Sequence, residues 1–159
     1  ANDTKCQISF DSTMVKRYRL IGYENRVMSN EDFEDDKKDA GEIGAGQSIT
    51  ALYEIEPTEQ WQTNATCATF ECRYKTKLNT NSCNLSLPIN QWVGQQSEDL
   101  NFCAGIAAYG MLLRGSEYMG TSSYKMASNL IKDASTYDPH GYRKELVELI
   151  QKAEKISNK

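Results

Sequence analysis

Ser97-Glu-Asp-Leu-Asn-Phe-Cys-Ala-Gly-Ile-Ala-Ala-Tyr-Gly-Met-Leu-Leu-Arg-Gly115 is the stretch that decides the fold class. Leu100, Cys103, Ala104, Ala107, Ala108, Met111 and Leu112 recur at steps of three and four, the period of a helix with one buried face. Ser97 is placed to cap the free amides at the start, Glu98 and Asp99 suit the positive end, and Arg114-Gly115 suits the other. Gly105 and Gly110 lower helix propensity, yet beside three alanines they make a thin surface that permits close backbone packing.

Downstream of this helix the same period continues. A second helix is expected over Tyr124 to Ala134, capped by Ser122 or Ser123, with Ala127, Leu130, Ile131 and Ala134 buried. A third starts near Asp138-Pro139 and carries Tyr142, Leu146, Leu149, Ile150 and Ala153 on one side.

Upstream the period is two. Strands are expected at Lys5–Phe10, Met14–Ile21, Ser48–Ile55, Thr66–Lys77 and Leu85–Leu87, with turns at Asp11-Ser-Thr13, Asn25-Arg26 and Asn79–Ser82. In the second strand Lys16, Tyr18 and Leu20 alternate with Val15, Arg17, Arg19 and Ile21, an imperfect pattern in which basic stems cover apolar surface. Strands first and helices afterwards, without βαβ alternation, predict an α+β chain. Its antiparallel, sandwich-like or partly open sheet occupies residues 1–96, and its three-helix part occupies 97–159, the two packed as one compact unit. The only visible join lies near residues 88–97.

Length and composition agree with a folded domain: 159 residues, 39% hydrophobic, 25% charged, three prolines. The net charge of −4 gives no reason to expect nucleic acid as a partner. No stretch approaches the roughly 18 apolar residues of a membrane span. The charge is unevenly placed. Glu31-Asp-Phe-Glu-Asp-Asp-Lys-Lys-Asp-Ala-Gly-Glu42 sets seven acids against two lysines for −5, so the remainder nets +1. A solvated acidic loop, salt-bridged to the basic second strand, is the expected reading; a calcium-binding or acidic docking segment is the alternative, although the EF-hand spacing is absent.

Chemistry-bearing constellations are weak. Asp36, Asp39 and Glu42 fall at three-residue steps, but acid/base catalysis needs carboxylates in unlike surroundings, with Tyr23, His140 or an arginine close by. Gly41-Glu-Ile-Gly-Ala-Gly46 lacks the Gly-Lys-Ser/Thr ending of a phosphate loop and reads as a turn. Five cysteines are odd in number. Cys67–Cys83 or Cys72–Cys83 is an allowed disulfide, while Cys6 and Cys103 read as small core residues. With no CxxC pair and one histidine, His140, the ligand inventory for zinc is absent, and His140 reads as part of a helix-start loop. Ser116, Ser122 and Ser123 have no nucleophile-elbow setting. Tyr109, Tyr118, Tyr124, Tyr137 and Tyr142, with Trp61 and Trp92, are divided between core packing and a contact surface. No catalytic, cofactor-binding or metal residue is therefore assigned.

Three runs carry a family resemblance: Val15–Arg26, Asn30–Gly46 and Thr50–Ile55, followed by Ala107–Tyr118 and Asp138–Arg143. Together they resemble the C-terminal region of bacterial proteins containing a von Willebrand factor type A domain, the YfbK-like family. The resemblance implies a region that follows a type A domain and contacts it within one polypeptide. It further implies residence in the cell envelope, periplasmic or surface-exposed, with lipid anchoring upstream. The Asp-x-Ser-x-Ser adhesion signature of type A domains is absent here, so metal-dependent ligand binding carries over to no residue. The expected function is a noncatalytic accessory or protein-interaction domain without cofactor, with a protein ligand as a further partner; a calcium-binding structural module or a carboxylate-based hydrolase are the alternatives.

Overall fold

Antiparallel pairing of the first strand, β1 (Asn2–Phe10), with β4 (Ala68–Lys75) organises the N-terminal half. The computed structural model describes residues 1–23, 27–77, 80–90 and 97–157. Contacts divide the chain into two units, residues 1–92 and 93–159. The expected turn at Asn25-Arg26, part of the Asn79–Ser82 turn and Trp92 lie outside the described residues.

In the first unit β4 also pairs with β5 (Cys83–Ile89), giving a three-stranded sheet in the order β1-β4-β5. β2 (Val15–Ile21) and β3 (Leu52–Pro57) make a second, two-stranded antiparallel sheet. The class is α+β, with all five expected strands present and the helices concentrated at the C-terminus. Asp11 makes the first corner: its carboxylate accepts from Thr13 N (2.8 Å) and Thr13 Oγ1 (2.7 Å), and its carbonyl from Val15 N (2.8 Å). This Asx-type turn sends β2 away from β1, so these two strands do not pair with each other.

The alternation along β2 differs from the expected one for a specific reason. The register slips between Val15 and Arg17, so Val15 is buried while Arg17 and Tyr18 are exposed. A bulge re-aims side chains without changing strand direction. The β2 cations then meet β3 acids: Lys16 and Arg17 both bridge Glu56 (2.7 and 2.8 Å), and Arg19 bridges Glu54 (2.5 Å). The basic strand therefore pairs with β3, not with the acidic loop as the charge pattern implied. The two sheets meet through Phe10, whose ring lies 4.5 Å from Tyr18 and 5.5 Å, edge-on, from Tyr53.

The acidic segment is not all loop. Ser29 Oγ accepts from Asp32 N (3.1 Å) and starts a five-residue helix, α1 (Asn30–Glu34), which buries Phe33. Asp36 and Asp39 lie beyond it, so the three-step spacing of Asp36, Asp39 and Glu42 is not read out on a helix face.

The second unit holds α2 (Glu98–Arg114), α3 (Tyr124–Lys132) and α4 (Tyr142–Ser157). Ser97 caps α2 by accepting from Leu100 N, Ser123 caps α3 by accepting from Met126 N, and Gly115 closes α2 in the left-handed conformation (φ 59°). Ala108, Ala127, Ile131, Val147 and Ile150 form its core. On α4 Val147 takes the inward place expected of Leu149, which is exposed, as is Tyr142. Arg143 explains part of this: it lies over the Phe102 ring at 4.3 Å and bridges Asp99 (3.3 Å), fixing the rotation of α4 against α2.

The two glycines of α2 separate sharply. A Cβ at Gly105 would stand 2.6 Å from Ile131 Cγ1 and 3.1 Å from the Ala127 carbonyl oxygen, so Gly105 is where α2 and α3 approach closely. A Cβ at Gly110 would meet nothing within 4 Å. Gly105→Ala is expected to lower stability by about 1–3 kcal/mol through overpacking, whereas Gly110→Ala is expected to raise it by about 0.5–1 kcal/mol through helix propensity. Chemical denaturation of the two variants side by side checks the opposed signs.

Candidate functional site

Alternation along β1 and β4 gives the three-stranded sheet two faces of unlike chemistry. Lys5 and Gln7 of β1 stand opposite Arg73 and Glu71 of β4 on one face; Cys6, Ile8 and Phe10 stand opposite Cys72, Phe70 and Ala68 on the other. Leu85, Leu87 and Ile89 of β5 extend the apolar face.

The polar face holds the acidic segment. Lys5, only 5% exposed, donates through Nζ to the carbonyls of Asp32 (2.9 Å) and Asp35, at the C-terminal end of α1 where free carbonyls and the helix dipole favour a cation. Arg73 reaches Glu34 (2.9 Å) and Asp36 (2.8 Å), and donates to Ser82 Oγ (3.0 Å). Lys75 bridges Asp3 (2.8 Å) and donates to the Asp36 carbonyl (2.8 Å). Gln7 Nε2 donates to Asn30 Oδ1 (3.0 Å). The clamp is therefore built from β1 and β4.

Two of its carboxylates, Asp36 and Asp3, are held toward the ionised form. Ser82 and then Arg73 hold Asp36 far below the ordinary carboxylate range, and the Lys75 hydrogen bond lowers Asp3 despite some desolvation. A carboxyl held ionised in this way does not suit the proton-donor half of a hydrolase pair. Tyr23 donates instead to the Thr50 carbonyl (3.3 Å), and His140, in the helical unit, lies against the Tyr142 ring at 5.6 Å. For calcium, the β1 and β4 cations already neutralise much of what a metal would, and the segment's own Lys38 adds a bridge to Asp32 (3.2 Å). Among the described residues no three His, Cys, Asp or Glu side chains converge as a metal-binding group.

The apolar face opens into a cavity of about 270 Å³ between the sheets, walled by Ile8, Phe10, Tyr53, Ile55 and Trp61, with Gln62, Asn64 and Asn90 among its polar lining groups. Toward β5 the face is left partly bare, with Leu85 44% and Leu87 49% exposed on the edge strand of the sheet. Pro88 sits on this edge, where a missing N–H is tolerated.

The tyrosines divide. Tyr109 and Tyr124 pack edge-on at 6.3 Å beside the helical core, while Tyr118, Tyr137 and Tyr142 are exposed. Ser116 Oγ accepts from Tyr118 N (3.2 Å) in the turn after α2.

The cysteines are all free, and the expected pairings fail on register. Cys83 stands opposite Tyr74, which puts Cys72 on a diagonal about 7–8 Å away, beyond the Cα separation of roughly 4.4–6.8 Å that a disulfide spans. Cys67 donates toward the Ile89 carbonyl (3.5 Å), at the opposite end of β5 from Cys83. Cys6 was expected as a core residue; it is exposed and faces Cys72, with the two sulfurs 3.8 Å apart. Parity could have indicated that Cys6 and Cys72 share a face with apolar neighbours, but not that β1 pairs with β4.

A family model described as "Uncharacterized protein YfbK, C-terminal" matches residues 1–156. The chain belongs to the family of YfbK C-terminal regions. It is 34% identical, over 175 aligned positions covering 99% of its length, to Uncharacterized protein YfbK of Escherichia coli (strain K12). The chain spans about 30% of the length of that curated relative, so it corresponds to a domain of a larger protein. No solved structure matches it significantly. Within the family segment Asp138–Arg143, Asp138 Oδ2 accepts from Lys144 N (3.1 Å) and Gly141 adopts φ 72°, which makes that motif the entry to α4.

The clamp generates a prediction about acid. Because Asp36 and Asp3 have folded-state pKa values below their ordinary ones, their contribution is complete above the ordinary value and is lost as pH falls toward the folded one. Unfolding of the strand unit is expected to become easier progressively below about pH 4, and Asp36→Asn to flatten that slope while lowering stability at pH 7. Arg73→Gln, which leaves Glu34 and Asp36 without their cation, is expected to lower the Tm by roughly 5–10 °C; Lys16→Gln, at an exposed pair, is expected to leave it nearly unchanged. Thermal scans across pH 2–7 measure all three.

Proposed function

We propose that the chain is a noncatalytic accessory or protein-interaction domain whose apolar sheet face docks on the preceding part of the same polypeptide, a von Willebrand factor type A domain in the architecture that the resemblance implies. The observation that carries the proposal is the half-bare row of Leu85 and Leu87 on an edge strand, beside a cavity with aromatic walls. An edge strand offers unpaired backbone groups, and an apolar face offers contact area; both are costly to leave in water. The share of the relative's length lying outside this chain supplies an occupant within reach. Binding of this kind draws its energy from apolar area, with the surrounding charges setting orientation.

The proposal extends to residence in the cell envelope, periplasmic or surface-exposed, with any lipid anchor carried upstream and the possibility of a separate protein ligand kept on the same surface. No helix among the described residues is long and apolar enough to cross a membrane, so attachment would be supplied by another part of the longer protein. A calcium-binding role is not favoured, because the acidic segment is already held by Lys5, Arg73 and Lys75.

Hydrogen exchange on the full-length protein and on residues 1–159 alone tests the docking. The amides of residues 83–89 are expected to exchange more slowly in the full-length protein, and Leu87→Lys is expected to abolish that difference without altering exchange in α3. Equal exchange of residues 83–89 in both forms would overturn the reading.

A further inference from the structure

Cys6 and Cys72 are direct partners in the β1–β4 ladder. Directly opposed residues of an antiparallel pair have Cα atoms about 4.5–5.5 Å apart, inside the window of roughly 4.4–6.8 Å that disulfides occupy. Their sulfurs already approach to 3.8 Å, with Cys6 S–H donating to Cys72 Sγ. Neither of the other strand-unit cysteines has this geometry: Cys83 opposes Tyr74, and Cys67 precedes the start of β4.

Both sulfurs can be reached. Cys6 is exposed, and Cys72 lines an open depression of about 420 Å³ with Thr4, Ile43 and Tyr74. Although the Cys6 residue is exposed as a whole, its sulfur lies against the sheet and Cys72; that desolvation, and then the neighbouring thiol, push Cys6 up to about 11. The Cys6 thiol therefore keeps its proton at neutral pH until it reacts.

We propose that Cys6 and Cys72 form a reversible cross-strand disulfide that staples β1 to β4. The oxidant class is a small-molecule disulfide. One thiolate of the pair attacks a sulfur of the oxidant, breaking its S–S bond and releasing one thiol. The second thiolate then attacks the resulting mixed disulfide, forming the Cys6–Cys72 bond and releasing the other thiol. Two protein S–H bonds are lost, one S–S bond is gained, and both protons and two electrons leave on the two thiols of the reduced oxidant. The closed loop encloses β2, α1 and β3, so the bond restrains most of the strand unit in the unfolded chain.

The test incubates the folded, reduced chain with oxidised glutathione and maps peptides without reduction. The expected result is a Cys6–Cys72 linked peptide, a protein mass lower by two hydrogens, a Tm raised on the order of 10 °C, and reversal of all three by dithiothreitol. Cys6→Ser and Cys72→Ser, each made separately so that a folding defect in one leaves the other informative, are expected to abolish the rise; Cys83→Ser is expected to keep it. The proposal fails if Cys6 and Cys72 remain alkylatable after oxidation, if the link found is to Cys67 or Cys83, or if the bond forms only in urea-unfolded protein.

Discussion

The β1–β4 ladder is the constraint on which the strand unit depends, because it joins segments separated by more than half of that unit and sorts every side chain on them to one of two faces. Loop closure of this length costs entropy before any contact rewards it, so the register has to be specified strongly. A slip of one residue would carry Lys5 and Arg73 to the apolar side and Ile8 and Phe70 to the acidic segment. Neither face tolerates that: a cation among Phe10, Tyr53 and Ile55 has no partner, and α1 loses the donors that meet its terminal carbonyls.

Electrostatics and packing therefore reinforce one arrangement. The −5 concentrated in residues 31–42 would repel itself if left as a free loop. Folded onto β1 and β4, it meets Lys5, Arg73 and Lys75, whose side chains are largely withdrawn from water. Desolvating those cations is expensive, and the return comes only when the carboxylates and carbonyls of this particular segment are in place. One donor is left over: Arg73 Nε is buried without a hydrogen-bond partner among the described residues. The clamp thus works as a device for selecting register, more than as a large net source of stability. The β2–β3 pairs at Glu54 and Glu56 are mostly exposed and contribute less.

How much of this was legible follows from how local each signal is. The helix caps at Ser97 and Ser123 and the strands themselves depend on residues within a few positions of one another, and the sequence pattern suffices for them. The role of Gly105 was legible as a tendency, but separating it from Gly110 required knowing that Ile131 crosses α2 at that point. Pairing was not legible. The alternation of Lys5 and Arg73 with apolar neighbours gives each a face, yet gives no partner strand, and so the acidic segment was assigned to the basic β2 while β3 carried the acids that β2 uses. The cysteines failed for the same reason: spacing along the chain favoured Cys67, Cys72 and Cys83, whereas the bonded distance is set across the ladder, where Cys72 meets Cys6.

The two faces also divide the labour between folding and association. Apart from Arg73 Nε, the cations of the polar face are engaged with the acidic segment, down to the carbonyls that close α1, so this face has little left to offer a partner. The apolar face packs on the second sheet where Phe10, Tyr18 and Tyr53 meet; beyond them Leu85 and Leu87 remain half in water on a strand whose outer edge is unpaired among the described residues. Such an unfinished face withholds apolar area from the internal core, and that is the area on which the proposed docking would draw. A Cys6–Cys72 bond would sit on that same face. It would tighten the sheet under the contact surface without occupying Leu85 or Leu87, so stapling and docking can operate together on one ladder.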